Sequence, residues 1–381
     1  MRHHGPMRRF WSPRSSDADP LVRDLVGLLG ADRVRSDAAT RHLASADASI
    51  FKGGAAGPVC FPTTTAEVQE CVRIAARHDR PVIPRGAGSG LTGGAAPLGV
   101  PVVLSTTRMN QVLEVDVANL VAWVQPGVIN LDLSRELQPL GVHFAPDPSS
   151  QQVCTIGGNV ANNSGGPHCL AYGVTSAHIL AIEVVLSDGE VVVLGGLDAE
   201  PSGYDLRGAF VGSEGMLGIA TRVAVRLTPN PPSVRTMLLS FGDVSSAAAT
   251  VGAVIAAGMV PAAIEMMDQR CEQAVEAFVH AGYASDAAAG LLIEVDGMAG
   301  GVEVQVERVR TIGREHGATD RVAADDDERA LLWKGRKSAC GAIARIKPDN
   351  YQHDTVVPVS YTHLTLPTIT AGGGWGWGGG G

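Results

Sequence analysis

Two glycine-rich segments about sixty residues apart constrain this 381-residue chain more than any other feature. The first runs Pro84-Arg85-Gly86-Ala87-Gly88-Ser89-Gly90-Leu91-Thr92-Gly93-Gly94. The second runs Thr155-Ile156-Gly157-Gly158-Asn159-Val160-Ala161-Asn162-Asn163-Ser164-Gly165-Gly166. Glycine loses more freedom on folding than any other residue, so such segments are costly to order, but they let the backbone close on a ligand. Successive N–H groups in such loops make concave nests for anions, typically phosphate. Two nests with little charge between them suit a large dinucleotide whose diphosphate and ring system both need close backbone approach. The plain alternative is two ordinary turns.

A rival reading of the first segment fails on context. Gly88-Ser89-Gly90-Leu91-Thr92-Gly93 fits G-x-G-x-x-G, Pro81–Pro84 precedes it as a short strand, and Glu114 and Asp116 follow as ribose contacts. A Rossmann loop must open a helix. Here Gly94-Ala95-Ala96-Pro97-Leu98-Gly99-Val100-Pro101 carries two prolines and two further glycines, which breaks one. A phosphate loop of the Walker type is also excluded, because no Gly-Lys-Ser/Thr follows.

Composition places the chain among globular proteins. Hydrophobic residues are 45% and charged residues 18%, and the length allows two domains with a large core. A net charge of −9 argues against a nucleic-acid binder, which needs a basic face. No apolar run approaches the roughly 20 residues of a spanning helix, and no polybasic anchor is present. The six cysteines, at 60, 71, 154, 169, 271 and 340, form no C-x-x-C pair, so no metal site is expected and buried thiols in a reducing cytoplasm are. Only four of the 30 basic residues are lysine, a bias usual in GC-rich bacterial genomes.

The pattern of elements alternates. Residues 1–20 are basic and irregular, without the apolar stretch of a secretory signal, and Met7 offers a later start. Leu21–Gly30 reads as a short helix with Leu21, Leu25, Leu28 and Leu29 on one face. Strands are expected at Val59–Phe61, Pro81–Pro84, Val102–Leu104, Val112–Val115 and Val121–Val124. A helix with Thr65 as its N-cap should cover Thr65–His78, and another Leu131–Leu140, ending at Gly141. Ile179–Leu186 turns through Asp188-Gly189 into Val191–Leu194, and Ile219–Leu227 leads to Pro229-Asn230-Pro231-Pro232, a domain boundary. Beyond it, strands at Thr236–Phe241, Ala262–Met267 and Leu291–Val295 alternate with helices at Ser245–Ala257, Gln269–Ala281 and Val302–His316. One more helix falls within Asp325–Ile343. These β-α-β units suggest a ferredoxin-like domain.

Six segments in order carry a resemblance. They are Pro62–Val68, the Pro84–Gly94 loop, Val124-Gln125-Pro126-Gly127-Val128, Ala145–Ser150, Thr155–Asn159 and Gly212-Ser213-Glu214-Gly215-Met216-Leu217-Gly218-Ile219. Over about 58–229 the chain resembles the FAD-binding domain of the vanillyl-alcohol oxidase (PCMH-type) flavoenzymes. Ala263–Asp268 and Trp333-Lys334-Gly335-Arg336-Lys337 point to the glycolate oxidase FAD-linked subunit and its D-lactate dehydrogenase relatives. The implied fold is α+β: a two-lobed FAD-binding domain at 21–229, with lobes at about 58–118 and 119–229, then a partial ferredoxin-like substrate or cap domain at 230–358.

The resemblance implies a role for each segment. Arg85, Gly86, Ala87, Gly88, Ser89, Gly90, Leu91, Thr92 and Gly93 wrap the FAD diphosphate. Pro146, Asp147, Pro148, Ser149, Thr155, Ile156, Gly157 and Gly158 line the flavin and ribityl chain. Asn162, Ser164 and Gly165 lie near the isoalloxazine ring, and Glu214, Gly215, Leu217, Gly218 and Ile219 hold the adenosine side. Members that attach FAD covalently often carry histidine in the first loop; Ser89 stands in that region, so non-covalent FAD is expected. His168 is an alternative attachment point, against the plain reading of a polar loop histidine.

The implied activity is FAD-dependent oxidation of a D-2-hydroxy acid of the glycolate or D-lactate type. That chemistry needs a cation for the carboxylate, a base for the hydroxyl proton and a hydride acceptor. Arg336 is the catalytic candidate, because a guanidinium binds a carboxylate in bidentate fashion; Lys337 and Arg345 stand behind it. Alternatives are a D-2-hydroxyglutarate dehydrogenase, another alcohol or sugar oxidase of this fold, or a truncated, inactive flavoprotein that works only within a complex. Expected partners are the small hydroxy acid and an electron acceptor, an iron–sulfur subunit or a quinone, with a cytoplasmic location or peripheral attachment to the inner membrane through partner subunits. Residues 359–381 read as non-native: Ser360–Thr368 resembles translated adapter sequence, and the last eleven residues hold eight glycines. Relatives continue further and carry histidines there that serve as metal ligands or base, so truncation of the cap is expected.

Overall fold

The computed structural model describes residues 19–51, 53–197 and 203–347. The expectations for residues 1–18 and 348–381 lie outside that range.

In chain order the first lobe comprises α1 (Pro20–Leu29), β1 (Val34–Arg35), α2 (Ala38–Leu43), β2 (Val59–Cys60), α3 (Thr65–Arg77), β3 (Val82–Arg85) and β4 (Val102–Ser105). Its strands run in the order β1-β2-β4-β3, with β2, β4 and β3 parallel. Parallel strands need a crossover between them, and α3 supplies the one from β2 to β3. Leu21, Leu25 and Leu29 of α1 are buried with Val68, Cys71 and Val72 of α3 and Leu104 of β4, so the apolar stripe read from the sequence is the stripe that packs. The N-cap of α3 is Thr64, whose hydroxyl accepts the Glu67 N–H at 3.2 Å; the expected cap, Thr65, instead donates to Glu183 in the second lobe.

The second lobe comprises β5 (Val112–Asp116), β6 (Val121–Val124), α4 (Asn130–Leu137), β7 (Val142–His143), α5 (Ile156–Asn162), α6 (Cys169–Tyr172), β8 (Ile179–Val185), β9 (Val191–Gly195), α7 (Leu206–Phe210), β10 (Ile219–Arg226) and β11 (Thr228–Pro229). Five antiparallel strands run β5-β6-β10-β8-β9. Thus β5, assigned to the first lobe from sequence, pairs with β6 in the second sheet, because the short Val117–Leu120 connection favours a hairpin.

The C-terminal domain comprises β12 (Ser233–Phe241), α8 (Val244–Ala256), β13 (Ala263–Asp268), α9 (Gln269–Val279), β14 (Ala289–Gly297), α10 (Ala299–Glu315), β15 (Thr319–Val322), α11 (Asp326–Lys337) and α12 (Ala339–Ile346). Its antiparallel sheet runs β13-β14-β12-β15, the ferredoxin-like order with α9 inserted. Strand periodicity of two sorts the side chains of β14. Leu291, Ile293 and Val295 face the α8 and α10 side. Leu292 faces the other side, with α9, α11 and α12. Glu294 shares the face of Leu292, which sets a buried carboxylate against α11. The stretch expected to hold one last helix holds two, because Ser338 both ends α11 and begins α12.

Candidate functional site

Strand β3 ends at Arg85 and delivers the chain into the first glycine segment. Gly88 and Gly93 take φ of +72° and +87°, where a side chain is strained. A Cβ on Gly88 meets the Arg85 guanidinium at 2.2 Å, and one on Gly86 meets Thr155 Oγ1 at 2.5 Å. Among the described residues, no backbone N–H from Gly86 to Gly94 donates a hydrogen bond within the protein. A run of unpaired N–H groups along a cleft is the donor set a diphosphate requires.

The second segment is a different device. Thr155 caps α5 by accepting the Gly158 N–H at 3.2 Å, and the first N–H groups of the helix are all engaged: Ile156 on Val128 O, Gly157 on Pro126 O and Asn159 on Thr155 O. The expectation of a second nest is therefore replaced by a short helix. Its glycines serve close approach, since a Cβ on Gly157 meets Pro126 Cβ at 2.6 Å. Asn162 at its end lies by Thr92 of the first loop, and Asn163 closes it in the left-handed region at φ 46°.

Between the two segments lies a cleft of about 740 Å³. Of the residues expected to hold the cofactor, Arg85 to Thr92, Pro148, Ser149, Thr155, Gly157, Gly158, Asn162, Ser164, Gly165, Glu214, Gly215, Gly218 and Ile219 line it. Ile156 points instead into the second-lobe core, and Leu217 lies on the surface at 53% exposure. Pro146 offers its carbonyl to Asn130, and Gly93 sits behind Phe51. The sequence reading missed Asp47, Thr106, Cys154 and Phe210, which also line the cleft. Arg85 is partly buried there; burial lowers its pKa, and the charge of Asp47 opposes that shift. The C-terminal domain contributes Lys337 and Cys340. Cys340 is exposed at this lip, whereas Cys60, Cys71, Cys154 and Cys271 are buried as expected.

Arg336 stands one residue from the cleft wall. Its Nη2 pairs with Glu265 Oε2 at 2.5 Å, and its buried Nε has no partner. Lys337 reaches across to the FAD-binding side, donating to Asp147 Oδ2 at 3.0 Å and to Gln151 Oε1 at 3.2 Å.

Behind Lys337 lies a buried network that takes up Asp147, expected from the sequence to line the flavin, and so removes it from the cleft wall. His168 Nδ1 meets Asp147 Oδ2 at 2.9 Å, and its Nε2 meets Glu294 Oε1 at 2.9 Å. Glu294 also accepts from Arg329 Nε, Trp333 Nε1 and Thr236 Oγ1. Burial alone lowers the His168 pKa, but hydrogen bonds to Asp147 and Glu294 and their charges outweigh it and hold it up at about 9. Burial raises Glu294, yet His168 and Arg329 bring it well below the usual carboxylate range. Asp147 is likewise held down, by His168 and Lys337 against burial. With both ring nitrogens engaged, His168 is committed to this network. No cluster able to hold a metal ion occurs among the described residues.

Residues 57–195 match the FAD binding domain family, and residues 230–371 match the C-terminal domain of FAD linked oxidases. The chain is 46% identical over 301 residues to glycolate oxidase subunit GlcD of Escherichia coli, covering 79% of this chain and 60% of that one. It is 39% identical over 342 residues to the Bacillus subtilis GlcD, covering 89% and 73%. The identity to D-lactate dehydrogenase of Anaerostipes hadrus is 34% over 307 residues, 78% of this chain and 64% of that one. Among solved structures, alkyldihydroxyacetonephosphate synthase superposes with a TM-score of 0.77 at 22% identity, over 90% of this chain and 72% of that one, which shows the fold. The chain thus spans about 60% of the length of the E. coli relative. The unpaired N–H row, the glycine cradle and the two-domain match agree: this chain belongs to the FAD linked oxidase family, with an FAD-binding domain followed by the family's C-terminal domain.

Proposed function

We propose that the chain binds FAD non-covalently in the cleft and oxidises a small D-2-hydroxy acid of the glycolate or D-lactate type. The observation that carries this reading is the cleft itself, whose floor is the unpaired N–H row and whose lip carries Lys337 of α11, the chain neighbour of Arg336. The loop from Gly86 to Thr92 holds the diphosphate, Pro148, Ser149 and Gly158 flank the flavin and ribityl chain, and Glu214 and Ile219 hold the adenosine end. Bound FAD supplies the hydride acceptor.

The cations of α11 hold the substrate carboxylate. Arg336 is the first candidate, since its guanidinium already binds the Glu265 carboxylate and a substrate can exchange for it. Electrons leave to a partner iron–sulfur subunit or a quinone. Coverage of only part of the E. coli relative favours a second reading, FAD binding without turnover by the chain alone.

Anaerobic absorbance photometry tests both. The purified protein is loaded with FAD and mixed with glycolate, D-lactate, L-lactate and D-2-hydroxyglutarate. Bleaching of the flavin band by the D-acids or glycolate, and not by L-lactate, is the expected result. A fully loaded protein that none of them bleaches overturns turnover by this chain. Colour released on acid precipitation checks the non-covalent attachment.

A further inference from the structure

The His168 network joins the two domains. Asp147 and His168 belong to the FAD-binding domain; Glu294, Arg329, Trp333 and Lys337 belong to the C-terminal domain. Nearby, the Tyr172 hydroxyl of α6 donates to Asp296 of β14. The contact is therefore a stack of charges bridging the domains: carboxylate, imidazole, carboxylate, guanidinium, with the Lys337 ammonium on the outer carboxylate.

The arithmetic of charge gives His168 a specific place. Asp147 and Glu294, at 7% and 2% exposure, are held on either side of one imidazole ring. Two ionised carboxylates facing each other out of water repel and are poorly solvated. A doubly donating imidazolium satisfies both at once; a neutral imidazole donates to only one and turns a lone pair on the other. Arg329 partly compensates Glu294, and Lys337 partly compensates Asp147. Tyr172 and Cys169 of α6, Asp296 of β14 and His143 of β7 are further titratable groups near the ring.

We propose that His168, as a cation bridging Asp147 and Glu294, is the fastener that holds the C-terminal domain closed on the cleft, and so the positioning residue that keeps Lys337 at its lip. This inference rests on the interdomain contact and not on any particular substrate.

The pKa of His168 in the folded protein, about 9, exceeds the 6.5 of an ordinary imidazole. The closing contribution is thus fully present below about pH 6.5 and is lost as pH rises through about 9.

Two readouts test it on the whole chain. Calorimetry of the FAD-free protein should give one cooperative transition at pH 7 that separates into two at pH 10, as the domains uncouple. His168→Gln should give two transitions already at pH 7, and His168→Arg, which keeps the charge, one at both pH values. In the second readout, FAD affinity measured by flavin fluorescence should weaken about tenfold in His168→Gln at pH 7, a loss of about 1.4 kcal/mol from the closed, FAD-bound state. The same variant should lose the further weakening that the parent shows between pH 8 and 10. A parent that keeps a single transition and an unchanged FAD affinity at pH 10 overturns the proposal. So does a His168→Gln protein that behaves as the parent at pH 7, or a His168→Arg protein that separates as His168→Gln does. The parent titration needs no variant, so a variant that fails to fold leaves a decisive result.

Discussion

Lys337 Nζ stands 3.0 Å from Asp147 Oδ2, which is itself 2.9 Å from His168 Nδ1, so one carboxylate binds a cation from each domain. Removing the Lys337 ammonium leaves His168 in place between Asp147 and Glu294. Lys337→Met should therefore preserve folding and FAD content while lowering kcat/KM on hydroxy acids. Asp147→Asn, which uncouples both cations, should cost roughly 3–5 kcal/mol of stability, as breaking a buried pair does. Chemical denaturation of the two variants side by side checks the ordering; equal losses contradict it.

Arg336→Ala should lose roughly 2–5 kcal/mol of substrate binding or transition-state stabilisation. The pair with Glu265 adds a control. Glu265→Gln frees the guanidinium without removing it, so KM should fall or hold steady if Arg336 takes the substrate carboxylate. Steady-state kinetics over a 2-hydroxy acid panel decides, and an unchanged kcat/KM in Arg336→Ala removes Arg336 from the site.

Gly86→Ala should weaken FAD binding by tenfold or more, because its Cβ comes within 2.5 Å of Thr155 Oγ1 and forces the two glycine segments apart. Gly99→Ala is the comparison: this glycine has positive φ, at +77°, and no atom lies within 4 Å of its Cβ. It should cost stability without specifically affecting FAD. Fluorescence titration with FAD, run with thermal melts, separates the two effects.

Glu272 of α9 is fully buried with both carboxyl oxygens unpartnered. Burial, reinforced by Asp268 and Glu276, pushes its pKa up from 4.5 to about 8. The unfolded chain ionises this group first, so stability is lost as pH climbs from about 4.5 to about 8 and levels off above. Glu272→Gln should remove that loss, leaving stability flat over this pH range. Tm measured from pH 5 to 9 is the check; parallel curves for the two proteins refute it.

The first glycine segment was legible because its chemistry is local: positive φ and N–H donors are written into consecutive residues. The second was legible as a site but not as a structure. Thr155 and Gly158 carry a capping relationship, yet glycines at 157 and 158 have so little helix propensity that α5 could not be read from them. What holds it as a helix is the Thr155 cap, the Gly157 N–H on Pro126 O and the burial of Ile156 and Val160. The strand β15 escaped notice because Thr319–Val322 is a short edge strand with Asp320 and Arg321 in it. The fastener was illegible for a deeper reason. His168 and Glu294 are 126 positions apart, and only the two-residue period of β14 decides that Glu294 turns toward α11 and not toward α10.

The row of N–H groups from Gly86 to Gly94 has a consequence for how the protein comes to exist. Most loops hold their shape through bonds to their own chain; this one keeps its donors for a guest. The free energy of binding is then also free energy of folding, and each tenfold rise in free FAD above its Kd adds about 1.4 kcal/mol to the folded state. Flavin supply in the cell thereby acts as a quality check on this protein. Protein short of FAD should accordingly be cleaved faster by an added protease than protein saturated with it.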